Sequence, residues 1–167
     1  MVMLGYQQRE RDPHWDSSAS PTPRMESVRA VAIEANQNGR ALGILDVQAA
    51  FLQSHELKWE NGERYMFTAP PEAGDPNGTK YALLRPMYGL DFAPKKWYET
   101  IAKYLVDDLG FERCPSDRCL FYLSDEDGGR RGSLALHVDD LIFQGDATFM
   151  KQLEKLQKRF KFNERAE

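Results

Sequence analysis

The most constraining feature of this sequence is the run Leu134-Ala135-Leu136-His137-Val138-Asp139-Asp140-Leu141-Ile142-Phe143. Two adjacent acids interrupt an otherwise apolar segment, with no turn-forming Gly or Pro beside them. A carboxylate removed from water without a partner is costly enough that it neutralises or recruits a cation, and a like-charged neighbour raises the cost. The run is β-prone, so the sequence predicts a hairpin that bends at Val138-Asp139-Asp140 and brings the acids to a sheet edge. A second apolar run, Ala41-Leu42-Gly43-Ile44-Leu45, ends abruptly in Asp46, the pattern of a buried strand with a carboxylate at its C-terminal edge. If both strands share a sheet, three carboxylates converge. Hard oxygen ligands of this kind suit Mg²⁺, and two such ions about 3.5–4 Å apart serve in-line phosphoryl transfer. The plainer alternative makes Asp139-Asp140 a polar hairpin tip and Asp46 a helix N-cap for Val47 onwards. Spacing alone does not decide between them.

The rest of the chain supplies the frame. Met25, Val28, Val31, Ala32 and Ala35 recur at helical spacing, with Thr22 as N-cap, Pro23 in the first turn and Gly39 as the stop. Tyr65-Met66-Phe67 and Tyr81-Ala82-Leu83-Leu84 flank a turn-rich connection at 74–78 and predict a hairpin arm. Trp97, Ile101, Tyr104 and Leu105 predict a second helix over about 94–108, ended by Gly110. A strand over 119–123 precedes the polar stretch 125–132, and Phe149, Leu153, Leu156 and Phe160 mark a last amphipathic helix. Residues 9–23 read as an irregular arm. The order predicts an α+β fold, an antiparallel sheet with helices packed on one face in a split βαβ, ferredoxin-like core.

With 167 residues the chain is long enough for one domain with a real core. A formal net charge of −4 weighs against a stand-alone nucleic-acid binder, so any grip on phosphate must be local. Lys95 and Lys96 are candidates for template phosphates. Lys151, Lys155, Lys158, Arg159 and Lys161 read as a solvated basic helix face. Cys114 and Cys119 are the only cysteines and only three histidines are present, which points to reduced structural thiols rather than a disulfide framework or zinc site. No apolar run approaches membrane-spanning length, and the first residues resemble neither a secretory signal nor a transit peptide. The expectation is an intracellular protein, cytoplasmic or nuclear, neither secreted nor in the membrane.

Several segments together resemble the reverse transcriptase of Ty1/copia-type retrotransposons. Leu45-Asp46-Val47-Gln48-Ala49-Ala50-Phe51-Leu52 is similar to that family's Asp-Val-x-x-Ala-Phe-Leu motif. Met87-Tyr88-Gly89-Leu90 with Ala93-Pro94 and Trp97, then Leu109-Gly110-Phe111, then Ser116-Asp117 with Cys119-Leu120-Phe121, follow in the family's order. His137-Val138-Asp139-Asp140 stands where the family has Tyr-Val-Asp-Asp, and Leu4-Gly5-Tyr6-Gln7-Gln8 is similar to a fingers segment. The resemblance runs from about 2 to 162. It implies a polymerase palm over about 41–52 and 93–162 and a partial fingers region over about 1–40 and 53–92, without thumb, RNase H or integrase. It further implies RNA-directed DNA polymerase activity, transferring dNTPs to a primer 3′-OH on an RNA or DNA template, within a Pol polyprotein. By the same resemblance Asp46 and Asp139 ligate two Mg²⁺ ions (Mn²⁺ as a substitute) with Asp140 completing the metal set. The Val47 carbonyl assists, and His137 and Val138 lie beside the substrate. Phe51 stands as the steric gate against a ribose 2′-hydroxyl. Trp97 and Tyr88 are expected to pack the palm helix.

Three departures temper the resemblance. His137 replaces a tyrosine and is expected to pack within the hairpin. Leu90-Asp91-Phe92-Ala93-Pro94 replaces Leu-Lys-Gln-Ala-Pro, putting an acid and an apolar ring where the family has a basic residue and an amide. The family's first fingers strands and its thumb have no counterpart here. A non-catalytic remnant, or a co-opted nucleic-acid- or protein-binding module, is therefore the competing expectation, and a palm-type cyclase a more distant one.

Overall fold

The computed structural model describes residues 20–58, 65–76 and 78–163; the segment at 4–8 and most of the expected arm lie outside them. In chain order the elements are α1 (Met25–Gln37), β1 (Gly43–Asp46), β2 (Met66–Thr68), β3 (Lys80–Ala82), α2 (Ala93–Lys103), β4 (Glu112–Arg113), β5 (Leu120–Ser124), β6 (Arg130–His137), β7 (Asp140–Gly145) and α3 (Ala147–Arg159). A 3₁₀ turn covers Ala50–Gln53, and a π-helical turn over Tyr104–Asp108 extends α2. Five strands form an antiparallel sheet in the order β1-β7-β6-β5-β4. The hairpin expected around 74–78 is present as the separate β2-β3 pair. The chain is thus α+β with an antiparallel sheet, as the periodicities predict.

Helices cover both faces of this sheet, which corrects the expectation of one. Leu134, Leu136, Leu141 and Phe143 join Phe121 and Leu123 in a core closed by Trp97 and Ile101 of α2, Leu105 of the π-turn, and Phe149, Leu153 and Leu156 of α3. The alternate residues Leu120 and Ala135, with Ile142 and Tyr122, pack beneath Val28 and Val31 of α1. Side chains alternate across a strand, so the uninterrupted apolar triplets of β6 and β7 need cover on both sides.

The helix ends differ from expectation in one respect. Thr22 and Pro23 precede α1 without capping it. Instead the distant Asp117 accepts from the Arg24 backbone N–H at 2.8 Å and the Ser27 hydroxyl at 2.5 Å, and from the Cys119 N–H at 2.9 Å. Burial alone would raise the Asp117 carboxyl, but these donors outweigh it and hold the group below its ordinary range. Asp146 caps α3 through the Thr148 and Phe149 N–H groups. Gly110, at φ 75°, ends the π-turn as the sequence predicts, with the Phe111 N–H bonded to the Leu105 carbonyl at 2.9 Å.

Candidate active site

The register places the acids. Asp46, last residue of β1, lies directly opposite Asp140, first residue of β7, and Asp140 in turn lies opposite His137 at the end of β6. Opposed residues of an antiparallel pair share a face, with Cβ atoms about 4.5–5.5 Å apart. Asp46 is therefore a strand-end residue, not the N-cap of a helix beginning at Val47. Asp139 sits in the two-residue turn between β6 and β7, and its carbonyl accepts the Val47 N–H at 2.8 Å, stitching that turn to the end of β1. All three carboxylates belong to one corner of the sheet. α1 covers the Gln144 end of this face, whereas Ile44, Asp46, His137 and Asp140 at the other end are exposed.

Partial desolvation, then the charges of Asp139 and Asp46, push the Asp140 carboxyl above its ordinary 3.8, with His137 pulling it down. Opposed like charges oppose strand pairing. Among the described residues no three His, Cys, Asp or Glu side chains are arranged as a ready metal cage. The acids are neighbours rather than an assembled coordination sphere, but three hard oxygen donors gathered at one sheet corner are of the chemistry that suits a divalent cation.

Two contacts hold the corner in place, and the sequence did not announce either. Val138, the first turn residue, has φ 54°, a left-handed conformation that a β-branched residue adopts only under strain. Its carbonyl accepts a 2.7 Å hydrogen bond from Nε1 of Trp97, which is fully buried. The helical spacing of Trp97 predicted its burial correctly; nothing in that spacing marked the indole N–H. On the other side, Asn163 donates from Nδ2 to Asp46 Oδ2 at 2.6 Å and from its backbone N–H to the Asp46 carbonyl at 2.9 Å. The neighbouring Phe162 forms a bridge with Val47, which is buried.

Phe51 is 8% exposed and its ring lies 4.4 Å from that of Tyr88. Tyr88 is not packed away as expected but 37% exposed beside the acids. Burial raises its phenol most, followed by the Asp139 charge; the Ala50 backbone N–H works against this, and the Asp46 charge adds to the rise. His137 is exposed as well, which corrects the expectation that it packs within the hairpin. Phe92 packs against Tyr65, with ring centroids 5.3 Å apart. Behind the 3₁₀ turn lies a cleft of about 540 Å³, lined in part by Gln48, Gln53, Arg85, Lys158, Arg159 and Lys161. The basic end of α3 thus meets the segment that follows Asp46, a proximity its solvated-face pattern did not reveal. Lys95 and Lys96, on α2, are not among the residues lining that cleft.

The family model described as reverse transcriptase (RNA-dependent DNA polymerase) matches residues 1–167. The chain is 32% identical over 170 residues to the retrovirus-related Pol polyprotein from transposon RE2 of Arabidopsis thaliana, covering 98% of this chain and 11% of the relative. It is also 32% identical over 173 residues to that from transposon RE1 of the same plant, covering 100% and 11%. It is 30% identical over 110 residues to the truncated transposon Ty1-A Gag-Pol polyprotein of Saccharomyces cerevisiae, covering 65% and 8%. The chain therefore spans about a ninth of the length of the plant relatives. No solved structure matches it significantly. The chain belongs to the reverse transcriptase family, in the branch found in the Pol polyproteins of Ty1/copia-type retrotransposons.

Proposed function

We propose that this chain carries the palm active site of an RNA-directed DNA polymerase that adds dNTPs to a primer 3′-OH on an RNA or DNA template, as part of a larger Pol polyprotein. The observation that carries the reading is the register of Asp46 opposite Asp140, with Asp139 in the adjoining turn. Asp46, Asp139 and Asp140 are the residues that would hold two Mg²⁺ ions. The chemistry supplied by such ions would be Lewis-acid stabilisation of the attacking primer oxygen and of the leaving pyrophosphate. The chain's own groups do the positioning. The Phe51 ring, braced by Tyr88, excludes a ribose 2′-hydroxyl. Val47, His137 and Val138 line the approach to the acids. Arg85, Lys158, Arg159 and Lys161 supply local positive charge for phosphate on a chain of net charge −4.

The palm comprises about 41–52 and 93–162 in a split βαβ arrangement, and the β2-β3 hairpin within 53–92 is fingers-like. About 1–40 belongs with it to the fingers-like region, and within that stretch α1 rests on the sheet. The reading is tested by incorporation of a labelled dNTP onto an RNA-annealed primer in Mg²⁺. Incorporation by the unaltered chain that vanishes in Asp139→Asn supports it; equal incorporation by both contradicts the metal role.

A second reading, a non-catalytic remnant or binding module, is favoured by Phe92, which packs against Tyr65 where the family's amide would face a nucleotide. A folded chain that incorporates nothing, yet captures an RNA or protein equally with and without chelator, supports that reading instead.

A further inference from the structure

We propose that Trp97 is a positioning residue whose indole N–H clamps the strained turn that presents Asp139 and Asp140. The inference rests on the reading that these acids and Asp46 hold divalent cations. Val138 occupies the first position of a two-residue hairpin loop, where positive φ is usually met by Gly, Asn or Asp. A turn so composed does not hold its own shape. Its two carbonyls are held from outside, that of Val138 by Trp97 Nε1 at 2.7 Å and that of Asp139 by the Val47 N–H at 2.8 Å.

The Trp97 ring also meets Phe160 edge-on, with centroids 5.2 Å apart. Phe160 ends α3, and the three residues that follow return to the site: the Lys161 carbonyl accepts the Gln48 N–H at 3.0 Å, Phe162 bridges Val47, and Asn163 holds Asp46. One buried indole therefore touches both supports of the acid corner, the β6-β7 turn directly and the Asp46 strand end through α3. Groups that orient ligating carboxylates without touching the metal commonly govern its affinity.

The test uses the full chain with Mn²⁺ as probe, its affinity read from the free-ion electron paramagnetic resonance signal. Trp97→Phe keeps an aromatic ring against Phe160 and removes the donor. Mn²⁺ affinity should fall by about tenfold, the lower end of the usual effect of losing an outer-shell partner. Val138→Gly relieves the need for a clamp, because glycine adopts positive φ without strain. In that background Trp97→Phe should cost less than about half as much on the logarithmic scale. A purely structural role would lower the melting temperature and leave the affinity alone, which would overturn the proposal.

Should Trp97→Phe fail to fold, the unaltered chain still decides. Of its three indole N–H protons, the one assigned to Trp97 should exchange slowly and more slowly still when Mg²⁺ is added. Exchange unaffected by Mg²⁺ would overturn the clamp. Asp139→Asn separates the two claims. If that variant binds Mn²⁺ as well as the unaltered chain, the metal reading falls. If it loses Mn²⁺ while Trp97→Phe keeps full affinity, only the Trp97 role falls.

Discussion

Two polar clusters share the α1-facing side of the sheet, and they are built on opposite rules. At the far end Glu34 accepts from Ser133 Oγ at 2.7 Å and Gln144 Nε2 at 3.0 Å, and pairs with Arg130 at 2.7 Å. Arg40 donates to Gln144 Oε1 at 3.1 Å and to the Arg131 carbonyl at 2.9 Å, while Arg131 pairs with Asp125 and Asp146. Donors and acceptors of both signs answer each other, which is what a buried polar network needs in order to stabilise. At the near end Asp46, Asp139 and Asp140 gather three charges of one sign, and Asp140 is pushed towards its protonated form. The first cluster satisfies itself and serves the fold; the second leaves like charges facing one another, which is the arrangement on which the proposed cation site rests.

The largest expected effect divides the two ends. Asp139→Asn should reduce Mn²⁺ affinity by more than the roughly 10–100-fold typical of an outer-shell change, while urea denaturation in chelator shows no loss of stability. Glu34→Ala should do the reverse. It leaves the buried Ser133 and Gln144 short of an acceptor and should cost about 1–3 kcal/mol in the same denaturation experiment, with Mn²⁺ affinity unchanged. If Glu34→Ala weakened cation binding as much as Asp139→Asn, the two ends would not be separate devices.

The smallest effect concerns pH. Because the folded chain raises the Asp140 carboxyl, the stability this group contributes is fully present below 3.8 and is lost as pH rises through the folded value. Asp140→Asn should therefore stabilise the cation-free chain at neutral pH, by on the order of a few tenths of a kcal/mol given solvent screening, and not well below pH 3.8. Asp117 and Asp146 are held low instead, so their contributions are present above 3.8 and disappear as pH falls through their folded values. Melting temperatures of both chains across the acid range would test the contrast; an Asp140→Asn gain independent of pH would contradict it.

Much of this was legible in the residues. An apolar run stopping at Asp46 and an Asp-Asp pair between apolar triplets placed two strand ends and a hairpin correctly. The same triplets also carried the signal that both faces of the sheet are covered, a signal overridden by the one-sided picture of antiparallel sheets. What stayed hidden depends on long-range geometry. Asp117 holds the start of α1 across ninety residues or more, and Asn163 reaches Asp46 from the far end of the described chain. His137 is outward-facing because strand pairing puts it in line with Asp140 on the uncovered end of the face. Trp97 read as core and is core, but its hydrogen bond depends on where the β6-β7 turn passes.

Whether the acid corner, and not the opposite network, receives a divalent cation can be read from substoichiometric Mn²⁺ added to the isotopically labelled chain. Paramagnetic broadening should erase the backbone amide signals of Asp46, Val47, Val138, Asp139 and Asp140 first, and leave those of Glu34, Ser133 and Gln144 sharp. Broadening that begins at the Glu34 end, or spreads evenly over exposed carboxylates, would rule out a cation site at the acid corner.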